Sequence, residues 1–107
     1  MMMTTLTDTF AALGDPTRFA IVETLLAEGE QPAGKLHDHF DLSAPAVSRH
    51  LKVLREAQII SQRVHGKQRF YTVKPDALQA INDWAISYQT FWNGSLDRLA
   101  ASLKDTP

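Results

Sequence analysis

Cysteine is absent from the 107 residues of this chain. Without thiols the protein has no disulfide bond, no thiolate zinc site, no thiol redox centre and no cysteine nucleophile. No apolar run approaches the roughly 18–20 residues that a membrane-spanning helix needs. The opening segment Met1–Thr5 carries no basic residue, the first being Arg18, so no export signal is predicted. We therefore expect a soluble, cytoplasmic protein with a single domain over residues 1–107.

Motifs of enzyme chemistry are also missing. The sequence holds no glycine-rich phosphate loop, no GxSxG turn and no HExxH pair. Asp15 and Asp76 stand at the starts of predicted helices, where a carboxylate has a structural role. We predict that the protein is not an enzyme and uses no cofactor.

Positive charge is concentrated in the middle of the chain, although the net charge is only −1. Residues 49–74 carry seven basic residues and one acidic residue. Residues 1–48 carry two basic and seven acidic residues, and residues 75–107 carry two basic and four acidic residues. Local charge, rather than the average, governs attraction to phosphate. The middle stretch is therefore the candidate nucleic-acid-binding surface.

Two helices are predicted in the N-terminal third. In the first, three apolar residues recur at helical spacing: Leu6, Phe10 and Leu13. The second begins with Asp15 as its N-cap and Pro16 at its first position, and it ends at Gly29. One face of this helix is lined by Phe19, Val22 and Leu26, with Ile21 and Leu25 beside them.

A helix-turn-helix is predicted over residues 32–57. Residues 32–40 form a brief helix, and Ser43 is the N-cap of the next one. The apolar stripe of this second helix is Val47, Leu51, Leu54 and Ala57. Its opposite face is polar and basic, with Ser48, Arg49 and Lys52. A short helix, a tight turn and a second helix with a basic outer face are typical of a helix-turn-helix.

Alternation with a period of two replaces the helical period after this motif. Two alternating runs, Ile60-Gln62-Val64 and Arg69-Tyr71-Val73, flank a turn in which Gly66 permits a positive φ. Residues 59–73 are therefore predicted to form a hairpin that serves as a wing. The predicted fold is mainly α with a two-stranded β-hairpin wing (α+β), a winged helix-turn-helix.

A long amphipathic helix is predicted over residues 76–103. Its apolar residues recur in steps of three and four: Leu78, Ile81, Ala85, Tyr88, Trp92, Leu96, Leu99 and Leu103. At 1.5 Å per residue such a helix is roughly 40 Å long, more than so small a domain covers. We expect it to pair with a second copy of the chain. The sequence leaves open whether Asn93-Gly94 kinks or splits it.

Three stretches of the sequence resemble the ArsR-type winged-helix transcriptional repressors. They are Asp15–Arg18 with Ile21 and Leu25 in the opening helix, Ser43–Ala57 (SAPAVSRHLKVLREA) in the recognition helix, and Arg63 with Gly66–Tyr71 in the wing. The resemblance spans residues 10–73. It implies a homodimer, paired through its N- and C-terminal helices, that occupies a near-palindromic operator until a signal releases it.

The residues that serve as metal ligands in this family are missing. Many members sense metals through paired cysteines in the recognition region, and this chain has none. Others use an Asp-x-His pair and a second histidine-rich pair on the last helix, but residues 76–103 contain no histidine. The chain therefore resembles the subgroup with an aromatic C-terminal helix and no metal ligands. Gln58 also departs from the family, which usually has glycine there, and we expect it to accept a left-handed or relaxed geometry.

The predicted DNA-binding residues lie on the recognition helix and the wing. Ser48 and Arg49 are expected to read base edges, and Lys52 to meet phosphate, on a face without acidic neighbours. His50 is interpreted either as a packed or capping residue or as a phosphate donor. The full predicted set is Ser43, Ala44, Ser48, Arg49, His50, Lys52, Arg63, His65, Lys67, Gln68 and Arg69.

Two further clusters have competing interpretations. His37-Asp38-His39 suggests zinc, but residues i and i+2 of a helix point about 200° apart, so polar surface is favoured. The aromatic group Trp84, Tyr88, Phe91 and Trp92 either packs a dimer interface or lines an effector pocket, and packing is favoured. The predicted dimer interface is Leu6, Phe10, Leu78, Ile81, Ala85, Tyr88, Trp92, Leu96 and Leu99.

The leading functional hypothesis is a sequence-specific, DNA-binding transcriptional regulator. It acts as a dimeric repressor that a non-metal signal releases, or as an autorepressor. The alternative is a protein-interaction module that docks a partner through its aromatic helix. The basic stretch 49–74 favours DNA over that alternative, since a docking module needs no such charge. A third option, a metal-responsive repressor with ligands at other positions, has less support.

Overall fold

The structure is a computed structural model that describes residues 5–104. Residues 1–4, on which the prediction about an export signal rests, and residues 105–107 of the predicted domain lie outside the described residues. The described chain contains six helices and three strands. Their bounds are α1 Leu6–Leu13, α2 Pro16–Glu28, β1 Gln31–Pro32, α3 Ala33–His39, α4 Ala44–Glu56, β2 Ile60–His65, β3 Gln68–Val73, α5 Pro75–Ser87 and α6 Gln89–Lys104. None of these helices combines the length and apolar character that crossing a membrane requires.

The N-caps of α2 and α4 are the ones that the sequence predicts. The Asp15 carboxylate accepts a hydrogen bond from the Arg18 amide at 3.0 Å. The Ser43 hydroxyl accepts one from the Ala46 amide at 3.3 Å. Each cap satisfies an amide that has no partner inside its helix, so it fixes the residue at which the helix begins.

Gln58 closes the C-terminal end of α4 in a left-handed conformation, with φ 62°. The amides of Gln58 and Ile59 donate to the carbonyls of Arg55 and Leu54, both at 3.0 Å, which is the Schellman pattern. Glycine usually fills this position because a Cβ is disfavoured at positive φ. The Gln58 side chain also accepts a hydrogen bond from Lys74 Nζ at 2.7 Å. The geometry that the sequence predicts for Gln58 is confirmed.

The core lies between α2, α4 and the sheet. The predicted stripe of α4 is buried, and its members are Val47, Leu51, Leu54 and Ala57. In α2 the buried residues are Ile21, Val22 and Leu25. Val22 is buried, but the two residues predicted to share its face, Phe19 and Leu26, are 50% and 54% exposed. They share a face about 100° round the helix from the buried residues, so α2 has apolar side chains on more than one face.

The wing is a regular antiparallel hairpin. Its strands pair from Ile60↔Val73 to His65↔Gln68, around a two-residue turn. Gly66 in that turn has φ 63°, as the sequence predicts.

The sheet has three strands rather than the two that the sequence predicts, in the order β1-β3-β2. The short strand β1 pairs with β3 through Gln31↔Tyr71 and Pro32↔Phe70. A strand of two residues shows no alternation in the sequence, which is why it was missed. Pro32 is tolerated because β1 lies at the edge of the sheet. The mainly helical fold with a β wing is otherwise confirmed.

The C-terminal helix is interrupted at Tyr88 and not at Asn93-Gly94, the position that the sequence left open. Tyr88 has φ −107° and ψ 18° and separates α5 from α6, which runs without a break through Asn93 and Gly94. The Ser87 hydroxyl donates to the Trp84 carbonyl at 2.6 Å at the end of α5. Such local side-chain bonds compete with helical hydrogen bonding. The predicted single helix over residues 76–103 is therefore two helices.

α6 extends away from the rest of the chain, and none of its side chains is buried. The Cα radius of gyration is 18.3 Å, against about 13 Å for a compact domain of this length. The helix therefore presents its apolar side chains without a covering layer from its own chain.

Candidate nucleic-acid interface

Burial of the apolar stripe of α4 determines which residues form its outer face. With Val47 and Leu51 in the core, Ser48 and Arg49 point outward and are exposed. Within residues 5–104, the Arg49 guanidinium forms no ion pair and no side-chain hydrogen bond. An unpaired arginine on an exposed helix is free to bond the two acceptors of a guanine.

Lys52 has a neighbour of opposite charge, contrary to the prediction that this face has none. Its Nζ lies 4.0 Å from a carboxylate oxygen of Glu56, one turn further along α4. Both side chains are about two thirds exposed, at 68% and 66%. Such exposed pairs contribute little, so Lys52 can exchange Glu56 for a phosphate.

His50 faces α2 rather than the outer surface of α4, and its side chain is 23% exposed. Its Nδ1 lies 3.8 Å from a carboxylate oxygen of Asp15 and 3.4 Å from Nη1 of Arg18. Arg18 Nε donates to the carbonyl of Ala12 at 2.6 Å, at the end of α1. Of the two interpretations that the sequence leaves open, a packed or capping residue and a phosphate donor, this geometry favours the first, since His50 packs against the Asp15 cap of α2. His50 thus connects the recognition helix to the ends of α1 and α2.

The tip of the wing is cationic and open to solvent. The exposed side chains around its turn are His65, Lys67, Gln68 and Arg69. Ser43 and Ala44, at the start of α4, are exposed as well. All of these residues belong to the predicted DNA-binding set, and all are accessible in the single chain.

Arg63 is held by the fold, unlike the residues of the wing tip. Its Nη2 and Nε donate to the two carboxylate oxygens of Glu30 at 2.8 and 3.2 Å. Its guanidinium carbon also lies 4.6 Å from the centre of the Phe70 ring. The pair lowers the pKa of Glu30 and raises the pKa of Arg63, chiefly through these hydrogen bonds. Sequence reasoning missed this role because Glu30 lies 33 residues earlier.

Two further cations of the basic stretch serve the fold. Arg55 donates to Gln62, which also accepts a hydrogen bond from the Tyr71 hydroxyl at 3.2 Å. Lys74 is bonded to Gln58. The cations that remain on the outer surface of α4 and the wing tip are Arg49, Lys52, Lys67 and Arg69. The charge that is available to a ligand is therefore smaller and more localised than the sequence suggests.

The two histidines of His37-Asp38-His39 lie in different surroundings. His39 contacts the edge of the Phe40 ring, with 5.0 Å between ring centres. His37 Nε2 is buried, and the described residues offer it no hydrogen-bond partner. Across residues 5–104, no three histidine or acidic side chains are grouped as a metal site requires.

The aromatic group joins α1 to α5 and continues along the exposed C-terminal helices. Phe10 and Trp84 pack edge to face, with 5.5 Å between ring centres, and Trp84 contacts Tyr88 at 5.9 Å. Phe91 and Trp92 form another edge-to-face pair at 5.2 Å. The large apolar residues left exposed on α5, on α6 and at the break between them are Trp84, Ile86, Tyr88, Phe91, Trp92, Leu96, Leu99 and Leu103.

The sequence and fold match known regulators. A helix-turn-helix domain family matches residues 13–63. The transcriptional repressor SdpR of Bacillus subtilis is 35% identical over 79 residues, which are 74% of this chain and 87% of SdpR. The transcriptional regulator Rv2034 of Mycobacterium tuberculosis is 41% identical over 85 residues, which are 79% of this chain and 76% of Rv2034.

A solved structure extends this likeness to the fold. The crystal structure of an ArsR family transcriptional regulator superposes with a TM-score of 0.74 at 27% identity, covering 82% of this chain and 90% of that one. These relatives are transcriptional regulators rather than enzymes, in agreement with the sequence prediction. The chain belongs to the ArsR family of winged helix-turn-helix transcriptional regulators.

Proposed function

We propose that this protein is a cytoplasmic, homodimeric repressor, a single winged-helix domain that binds a near-palindromic operator. The observation that carries the proposal is the outer face of α4, where the unpaired Arg49 stands next to Ser48 and Lys52 in an otherwise acidic chain. A helix with this face can enter the major groove, where Ser48 and Arg49 reach base edges. Lys52 then meets the backbone and sets the position of the helix.

The wing provides a second contact to the same DNA. Lys67 and Arg69 lie at the exposed tip of the hairpin, beside the turn at Gly66. Cations at such a tip bind the backbone or enter the minor groove next to the recognition helix. Arg63 positions the wing through Glu30, so its predicted DNA contact is a secondary one.

A second copy of the chain covers the exposed apolar residues of α5 and α6. Leu96 and Leu99 are 61% and 56% exposed, and Trp92 is 50% exposed. Apolar surface of this extent on a helix that its own chain does not cover is typical of an interface between subunits. In a two-fold dimer the two α4 helices enter successive major grooves about 34 Å apart.

Dimer geometry then controls the affinity for DNA. A rotation of one subunit spoils the spacing of both recognition helices, so an effector that prefers the rotated dimer releases the operator. The contact of Phe10 with Trp84, and the bonds of Arg18 to α1 and toward His50, join the proposed interface to the recognition helix. The signal in this scheme is not a metal ion, or the protein acts as a simple autorepressor.

Selection of binding sites from random-sequence duplexes tests the proposal. Enrichment of a two-fold symmetric motif, with half-sites about 10 base pairs apart, is the expected result. An enriched motif without symmetry would refute the dimeric mode of binding, and no enrichment at all would refute sequence-specific recognition.

A further inference from the structure

A groove between α3 and the wing is lined by three cations from distant parts of the chain. Lys35 lies on one wall, in the first turn of α3, and Lys67 and Arg69 lie on the other, at the tip of the wing. The groove has a volume of about 510 Å³ and opens to solvent. Two of its cations belong to the predicted DNA-binding set, but Lys35 does not.

The pairing of β1 with β3 brings these residues together. Pro32 and Phe70 are cross-strand partners. Arg69 directly precedes Phe70, and Lys35 follows Pro32 by three residues, which is about one turn of helix. Lys35 is one of the two basic residues in the acidic segment 1–48, so the charge pattern of the sequence does not point to it. The fold adds it to the basic surface.

The electrostatics of the groove favour an anion. None of the described residues that line it is acidic. Within residues 5–104, Lys35, Lys67 and Arg69 take part in no ion pair. Lys35 also borders a neighbouring cavity that contains Glu28 and Asp38, yet it pairs with neither. Three like charges around one open space repel one another, and a bound anion relieves that repulsion.

We propose that the groove holds a phosphate of the DNA backbone and that Lys35 is a DNA-contacting residue of this protein. The proposal rests on the function proposed above and extends it from the recognition helix and wing to α3. In helix-turn-helix complexes the first helix of the motif crosses the backbone, which is where α3 places Lys35. A lysine bound to phosphate fixes the register of the protein and reads no sequence.

Gly34 offers a test that deletes no existing contact. It lines the groove, and a Cβ at this position meets no atom within 4 Å. Gly34→Ala is the reference, and Gly34→Lys and Gly34→Glu add a charge of either sign with similar helix propensity. Relative to Gly34→Ala, we expect Gly34→Lys to tighten binding to DNA and Gly34→Glu to weaken it. We expect each of the two charged substitutions to change the dissociation constant by about threefold or more near 50 mM salt. The slope of log K against log salt concentration, called the salt slope below, should change by about 0.9 per groove.

Lys35→Ala is the complementary test, because it removes a positive charge from the groove. It should weaken binding to the operator and to a scrambled duplex by the same factor, about threefold or more near 50 mM salt, and lower the salt slope by about 0.9 per groove. Lys104→Ala, which removes the same charge at the end of α6, is the matched control and should change neither quantity. Thermal unfolding of both variants shows that the fold is intact.

A scan of the operator with neutral methylphosphonate linkages identifies the bound phosphate. We expect one position in each half-site at which neutralisation weakens the wild-type complex by a larger factor than the Lys35→Ala complex, in which Lys67 and Arg69 alone line the groove with positive charge. If no phosphate behaves in this way, the groove takes a free anion or none, and the proposal is overturned. Equal binding by Gly34→Lys and Gly34→Glu overturns it too, while operator binding by the wild type leaves the proposed function standing. A wild-type protein that binds no DNA refutes both.

Discussion

His50 Nδ1, on the recognition helix, lies 3.8 Å from a carboxylate oxygen of Asp15, the residue that begins α2. The Asp15 carboxylate also accepts the hydrogen bond of the Arg18 amide. One side chain thus caps α2 and contacts the helix proposed to enter the DNA groove. Its protonation state therefore bears on the stability of the fold and on the placement of that helix.

Asp15→Asn tests this cap through its pH dependence. The hydrogen bond from the Arg18 amide lowers the pKa of Asp15, and the charges of His50 and Arg18 lower it further. A lowered pKa stabilises the folded protein above the unfolded pKa of about 3.9, and this stability is lost as the pH falls through the folded value. We expect Asp15→Asn to unfold at a lower temperature than the wild type near pH 7.

The gap between the two melting temperatures should narrow near pH 3, because the protonated aspartic acid then resembles the asparagine. Asparagine is itself a good N-cap, so the comparison isolates the charge. A gap that stays constant between these pH values would mean that the Asp15 charge contributes nothing.

Gln58→Gly should stabilise the protein. Gln58 has φ 62°, and glycine adopts that conformation without the steric cost of a Cβ. After the loss of the Lys74 hydrogen bond and the greater freedom of glycine in the unfolded chain, we expect a gain of about 0.5–1 kcal/mol in unfolding free energy. Urea unfolding measures it.

Gly66→Ala is the matched control for this prediction. Gly66 has φ 63° in the turn of the wing, so alanine there introduces the strain that glycine removes at position 58. We expect the free energy of unfolding to fall by about 1 kcal/mol. If both substitutions change the free energy of unfolding in the same direction, the argument from positive φ is contradicted.

Arg49→Ala should weaken binding to the operator by about 1–3 kcal/mol and relax the preference for one base pair in each half-site. The reason is that Arg49 is the unpaired guanidinium on the outer face of α4. Binding to the operator and to single-base variants of it measures both effects. Lys104→Ala serves as the control for loss of one positive charge, and an operator affinity equal to the wild type would remove Arg49 from the interface.

Replacing both Leu96 and Leu99 with Asp should leave a monomer in sedimentation. These leucines are exposed on the apolar face of α6, where buried carboxylates would oppose association. Ala101→Asp adds a carboxylate about 200° round the helix from Leu99 and should leave the dimer intact. A dimer that survives the double substitution would place the interface elsewhere.

Local patterns were sufficient to predict much of the fold. The helix caps and the hairpin turn each depend on contacts within three or four residues, at Asp15, Ser43 and Gly66. The buried stripe of α4 repeats on one helix face, at Val47, Leu51 and Leu54. These signals are local in sequence, so they located the helix-turn-helix and the wing. The two-residue strand β1 and the break at Tyr88 were missed, since neither leaves a periodic signal.

The candidate site was predicted less completely because several of its residues have partners that are distant in sequence. Arg63 pairs with Glu30 and His50 contacts Asp15, so both side chains are engaged within the fold. Lys35 joins the basic surface only through the pairing of β1 with β3. Counting charges along the chain therefore includes Arg63, which is paired within the fold, and omits Lys35, which the fold adds to the proposed DNA-binding surface.

The central claim, sequence-specific binding of DNA, is tested most directly by fluorescence anisotropy. The assay compares the duplex from the region upstream of the protein's own coding sequence with a scrambled duplex, each at two salt concentrations. The account predicts tighter binding to the upstream duplex and a steep loss of affinity for both duplexes as salt rises. Equal and weak binding to both would contradict it and would direct attention to the aromatic residues of α5 and α6 as a docking surface for another protein.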